Sequence, residues 1–141
     1  MLKIKASAAA LPAQDIARAR KFYEQTLGLA PSDVGPDGSA WYKTGETMFF
    51  VFPSQGKASG DHTQIGLEVE DIVAAVNELK SKGVKLEEYD SPQLKTNNGI
   101  VDMGESRGSW FKDTEGNLIS VIQRVPAAQS ATSSGGATTS R

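Results

Sequence analysis

The chain carries nearly the same pattern twice, so it is expected to fold as two related units rather than as one irregular body. Ala8–Leu11 followed by Asp15-Ile16-Ala17-Arg18-Ala19 returns 56 residues later as Gln64–Leu67 followed by Asp71-Ile72-Val73-Ala74-Ala75. A second correspondence follows downstream, where Trp41-Tyr42-Lys43 matches Trp110-Phe111-Lys112 and Glu46 falls on Glu115. The repeat supplies a common frame in which equivalent positions can be compared.

Each copy reads as strand, helix, then strands. Lys3–Leu11 predicts a strand closed by Pro12, where a missing N–H costs little. Asp15 is a good helix N-cap, and Ile16, Ala19, Phe22, Tyr23 and Leu27 form one apolar face at a spacing near 3.6. Gly28 is the left-handed stop. Pro31–Ser39 reads as a turn-rich stretch, followed by strands Ala40–Thr44 and Thr47–Phe52 and a polar linker, Pro53–Asp61. In the second copy, His62–Val69 alternates with period two: Ile65, Leu67 and Val69 share one face, and His62, Gln64, Gly66 and Glu68 share the other. Asp71 caps a helix whose buried side is Ile72, Ala75, Val76 and Leu79. Val84–Tyr89 predicts a strand, Asn97-Asn98-Gly99 a turn with a strand on either side, and Ser109–Asp113 with Leu118–Arg124 the last hairpin. The fold class is therefore α+β. Two tandem β-α-β-β-β modules, about residues 3–53 and 62–125, form one domain over 1–126. Each is a curved mixed or antiparallel sheet with its helix outside and a cup on the other face. Residues 127–141 are small and polar and are expected to be a disordered tail.

Composition narrows the function. A net charge of −2 and the lack of any Lys/Arg block argue against nucleic acid. With no run of about 18 apolar residues, no membrane span is expected. Absence of cysteine fits a reducing compartment and a cytoplasmic location. A single histidine, His62, cannot build a His-rich metal site. No phosphate-binding glycine loop and no Ser-His-Asp spacing is found.

Three segments resemble the vicinal oxygen chelate superfamily, which contains glyoxalase I, bleomycin-resistance proteins, fosfomycin-resistance enzymes and extradiol dioxygenases. Asp15–Leu29 (DIARARKFYEQTLGL) is similar to its first-helix motif, Gln64–Asp71 (QIGLEVED) to its second-module strand, and Trp110–Val121 (WFKDTEGNLISV) to its closing hairpin, with Thr114 where proline is usual. Metal-dependent members place ligands at four positions on the cup face. The resemblance carries these onto Ala8, Phe50, Gln64 and Ser120. One amide and one hydroxyl cannot replace the water of a divalent ion, so neither a metal nor any other cofactor is expected. Relatives often dimerise, which implies a homodimer.

Within this frame, the expected ligand contacts are Gln64, Phe50, Ser120, Trp41, Trp110 and Glu68. Gln64 could orient a carbonyl, the aromatics could stack on a planar molecule, and Glu68 could meet a cation. Each has a plainer reading: an amide bonded within the sheet, packed core rings, a solvated rim carboxylate. His62 is a weak candidate base, more simply a solvated strand-end residue. Arg107 could clamp an anion, or stand solvated in a loop. The leading functional expectation is metal-free binding of a small, partly apolar molecule. The alternative is a metal-dependent lyase, isomerase or dioxygenase-type enzyme of the same superfamily, with a relocated or reduced site using His62, Glu68 or Gln64. A partner-binding module whose cup Phe50 closes is a third.

Overall fold

The computed structural model describes residues 1–124; the tail expected over 127–141 lies outside the described residues. The chain runs β1 (Ala9–Ala13), α1 (Ile16–Lys21), β2 (Pro31–Val34), β3 (Ala40–Thr44), β4 (Thr47–Pro53), then β5 (Thr63–Glu68), α2 (Ile72–Ser81), β6 (Val101–Asp102), β7 (Ser106–Lys112) and β8 (Leu118–Arg124). This is β-α-β-β-β twice. The strands form two four-stranded sheets of identical design, ordered β1-β4-β3-β2 and β5-β8-β7-β6. In the first, β1 runs parallel to β4 while β2, β3 and β4 are antiparallel neighbours, so the sheet is mixed.

The two helices begin where the repeat places them. Asp15 Oδ1 accepts from the Arg18 N–H at 3.0 Å, and Asp71 Oδ1 from the Ala74 N–H at 3.1 Å. Each aspartate satisfies a helix-start donor that has no partner inside the helix. After Lys21 the first helix widens into a π-helical turn over Phe22–Thr26, with Leu27 N–H bonded to Phe22 O. Gly28, at φ 78°, then ends it.

Four local expectations are corrected. The first strand is Ala9–Ala13, not Lys3–Leu11, and Pro12 sits inside it. The strand lies at the sheet edge, where a missing donor is tolerated, and Leu2 and Ile4 stay exposed. Pro31–Val34 is a strand despite its turn-rich composition, because it pairs with β3 through an irregular register; only the Gly35–Gly38 part is a turn, closed by Gly38 N–H to Gly35 O. Val84–Tyr89 makes only an isolated bridge, Leu86 to Phe111. Asn97-Asn98-Gly99 is the expected turn, with Asn98 and Gly99 both at positive φ, but only its downstream side continues as a strand. An added Cβ at Gly99 would lie 2.9 Å from the Leu86 Cβ, so the site needs glycine on two counts.

The described residues form two compact units: residues 1–65 with 112–118, and residues 66–111 with 119–124. Their limits differ from the repeat, because the tip of the last hairpin belongs to the first unit. In that unit the π-helical turn after α1 packs on the sheet through Tyr23, whose ring lies 5.6 Å from both Tyr42 and Phe49. In the second unit, Ile72, Val76 and Leu79 form the buried face of α2, and Phe111, Ile119 and Val121 are also buried. Among the described residues no helix is long and apolar enough to cross a membrane.

Candidate functional site

Period-two alternation on β3 and β4 sorts the aromatic residues of the first sheet onto two faces. Tyr42, Phe49 and Val51 point toward α1 and are buried. Trp41, Phe50 and Phe52 point the other way and are half-buried, with Met48 at the exposed end of the same row. Trp41 and Phe50 are direct cross-strand partners, and their rings stack at 4.3 Å and 22°. Phe52 follows at 6.0 Å from Phe50. Such a pair is close enough to stack, and it leaves a partly solvated aromatic surface on the side of the sheet away from the helix.

The second unit repeats the arrangement in part. Phe111 is buried, while Trp110, its neighbour on the opposite face, is half-buried and meets Tyr89 edge-on at 5.6 Å. Tyr89 was not foreseen as its partner, since only the chain path through residues 84–89 brings it there. A Cβ built on Gly108 would lie 3.3 Å from the Met103 methyl and in ordinary contact, at 3.6 Å, with Ile122 and Trp110. Ser120 is buried, and its Oγ lies 3.0 Å from where a Cβ on Gly66 would stand.

The remaining predicted residues divide. Gln64 lies in β5 with its Oε1 buried and without a hydrogen-bond partner. An orphaned acceptor of this kind calls for a donor from water or a ligand. Glu68 is not a free carboxylate: Arg124 donates to both of its oxygens, at 2.9 and 3.1 Å, so its charge is already met. His62 is exposed and falls just outside β5. Ala8 is exposed and precedes β1.

The four positions onto which the resemblance carries a metal site do not suit one here. Ala8 offers a methyl group, Phe50 a phenyl ring stacked on Trp41, Gln64 a neutral amide and Ser120 a hydroxyl. Among the described residues no three His, Cys, Asp or Glu side chains gather closely enough to hold an ion. This donor set does not fit a hard divalent cation.

A polar cluster that sequence reading missed lies in the first unit, at the tip of the last hairpin. The Tyr23 hydroxyl donates to Asp113 Oδ2 at 2.5 Å, and Asn117 Nδ2 donates to the same oxygen at 2.8 Å and to Pro12 O at 3.0 Å. Glu115 accepts from Arg18 twice, at 2.7 and 3.0 Å, and from the Asp15 N–H at 3.1 Å. Burial and the neighbouring Asp113 push the Tyr23 hydroxyl far above its usual range. The Arg18 bond holds the Glu115 carboxyl down at about 2 against the opposing effect of burial. The cluster clamps the hairpin to α1. The available signal was the polar run Asp113-Thr114-Glu115-Gly116-Asn117 at the tip of the last hairpin.

The family profile described as Glyoxalase/Bleomycin resistance protein/Dioxygenase superfamily matches residues 5–121. The chain belongs to that superfamily. Solved structures agree on the fold. A glyoxalase/bleomycin resistance protein/dioxygenase from Alicyclobacillus acidocaldarius is 18% identical, with 86% of this chain and 92% of that one covered at a TM-score of 0.66. A fosfomycin resistance protein from Listeria monocytogenes is 11% identical, covering 92% and 99% at 0.68. An antibiotic binding protein from Streptomyces is 21% identical, covering 87% and 100% at 0.61. No curated protein matches the chain significantly. Membership fixes the fold; within the superfamily, function is set by the residues of each site.

Proposed function

We propose that this superfamily member binds a small, planar, partly apolar molecule without a metal ion. The observation that carries the reading is the Trp41–Phe50 stack, continued by Phe52, standing half-solvated on the sheet face away from α1. Exposed aromatic surface on a strand is costly to keep in water, and a ring laid against it would recover apolar burial and stacking together. The orphaned Gln64 Oε1 is the candidate acceptor for a ligand N–H or O–H. Phe50 occupies a position where metal-dependent relatives carry a ligand, so the same residue that builds the stack removes a donor. The likeness to an antibiotic binding protein adds support.

The test is calorimetric titration of chelator-treated protein with metal-free bleomycin, whose bithiazole is its planar part, with doxorubicin as a fused-ring planar compound and fosfomycin as a compound with no aromatic ring. Saturable binding of a planar compound, weakened about tenfold in Trp41→Ala and Phe50→Ala, supports the reading. Binding only after addition of a transition metal, or equal binding by the aromatic variants, refutes it.

A further inference from the structure

A separate cleft lies wholly within the second unit, between α2 and the stretch from Asn97 to Arg107. Its volume is about 430 Å³, within the roughly 300–1,000 Å³ of small-molecule sites. One side is apolar: Val73 and Val76 on α2, with Ile100. Val73 is 43% exposed, apolar surface that the fold itself leaves in water.

The polar side of the cleft holds charge that the protein does not use. The Arg107 side chain makes no hydrogen bond or ion pair among the described residues. Its cross-strand neighbour is Asp102, yet Asp102 Oδ1 turns back to accept from the Gly104 N–H at 2.9 Å. The Lys80 ammonium reaches only the Asn98 carbonyl, at a long 3.4 Å. The Asn77 side-chain amide, one turn before Lys80, has no partner among the described residues. Two cations and an amide donor therefore face a cleft whose only carboxylate is Asp102, already engaged by a backbone donor.

We propose that this cleft binds a small anionic amphiphile: a carboxylate or phosphate held by Arg107 and Lys80, on a short apolar body lying against Val73 and Ile100. Arg107 is suited to the head because its planar fork donates two parallel hydrogen bonds to an oxyanion. The proposal is independent of the aromatic face, whose residues belong to the other unit.

An NMR titration of the full chain with sodium octanoate, acetate and octylammonium tests it. Octanoate is expected to shift the backbone amides of residues 73–80 and 97–107 saturably, with acetate much weaker and octylammonium inert. Arg107→Gln and Lys80→Gln, both at non-core positions, should each weaken octanoate roughly tenfold or more, and Arg107→Lys should restore part of the loss. No saturable shift with octanoate, equal binding of octylammonium, or unchanged affinity in both Gln variants overturns the proposal. Acetate binding as tightly as octanoate overturns the assignment of the apolar side.

Discussion

Replacing Glu115 with Gln removes one charge from a side chain that is 1% exposed while keeping its shape. The native carboxylate receives both Arg18 bonds, the Asp15 N–H and the Thr114 hydroxyl. In the variant an amide N–H must face the guanidinium, so at least one of the Arg18 bonds is lost. The Glu115 carboxyl is held at about 2 against an ordinary 4.5. At about 1.4 kcal/mol per tenfold change in proton affinity, this bounds the stabilisation near 3 kcal/mol. Arg18 is 52% exposed, and water screens the pair, which brings the expected cost to about 1–2 kcal/mol. At about 4 °C per kcal/mol for a chain of this size, Tm should fall by about 4–8 °C near pH 7. The sign of the pH dependence follows from the lowered value. The carboxylate contributes fully above about 4.5 and its contribution is lost as pH falls toward 2. The gap in urea-unfolding free energy between wild type and Glu115→Gln should therefore be full at pH 6 and shrink toward pH 2.5. An equal gap at both pH values, or no gap at pH 6, would refute the assignment of Glu115 as a charged clamp.

Three further outcomes are expected. Tyr23→Phe removes the 2.5 Å bond to Asp113, but Asp113 keeps Asn117 Nδ2 and two backbone donors; urea unfolding should show a loss of about 1–2 kcal/mol. Gly99→Ala forces a side chain onto φ 81° and into Leu86, so thermal unfolding should show a loss of at least about 1–3 kcal/mol; an unchanged Tm would contradict the crowding. Glu68→Gln breaks an ion pair whose side chains are 57% and 36% exposed; it should cost under about 1 kcal/mol and leave titrations with planar compounds unchanged, whereas a large loss of affinity would return Glu68 to the site.

The repeat made the element order legible, because aspartate caps and period-3.6 faces are local signals. The strand limits were less so. Pro31–Val34 is held by pairing with β3 rather than by its own propensity, and the Val84–Tyr89 stretch, apolar enough to read as a strand, finds a single bridging partner instead of a ladder. Alternation placed Phe50 on the face away from α1, but Trp41 joined it only through the β3–β4 register, which a sequence leaves open across a turn. Glu68 read as a lone carboxylate because Arg124 is 56 residues away in the chain. The hairpin clamp exists in only one copy of the repeat: the positions matching Asp113 and Asn117 are Thr44 and Met48. Comparing the copies could have marked those residues as having a role peculiar to the second hairpin.

The most direct test of the metal-free stacking site uses Trp41 as the reporter. In a Trp110→Phe background Trp41 is the only tryptophan. Its emission is followed as metal-free bleomycin or doxorubicin is added to chelator-treated protein. Saturable quenching with at least one planar compound, weakened about tenfold in Phe50→Ala and absent with fosfomycin, is the predicted result. No saturable change with either planar compound, or a change that appears only after a transition metal is added, would contradict the account.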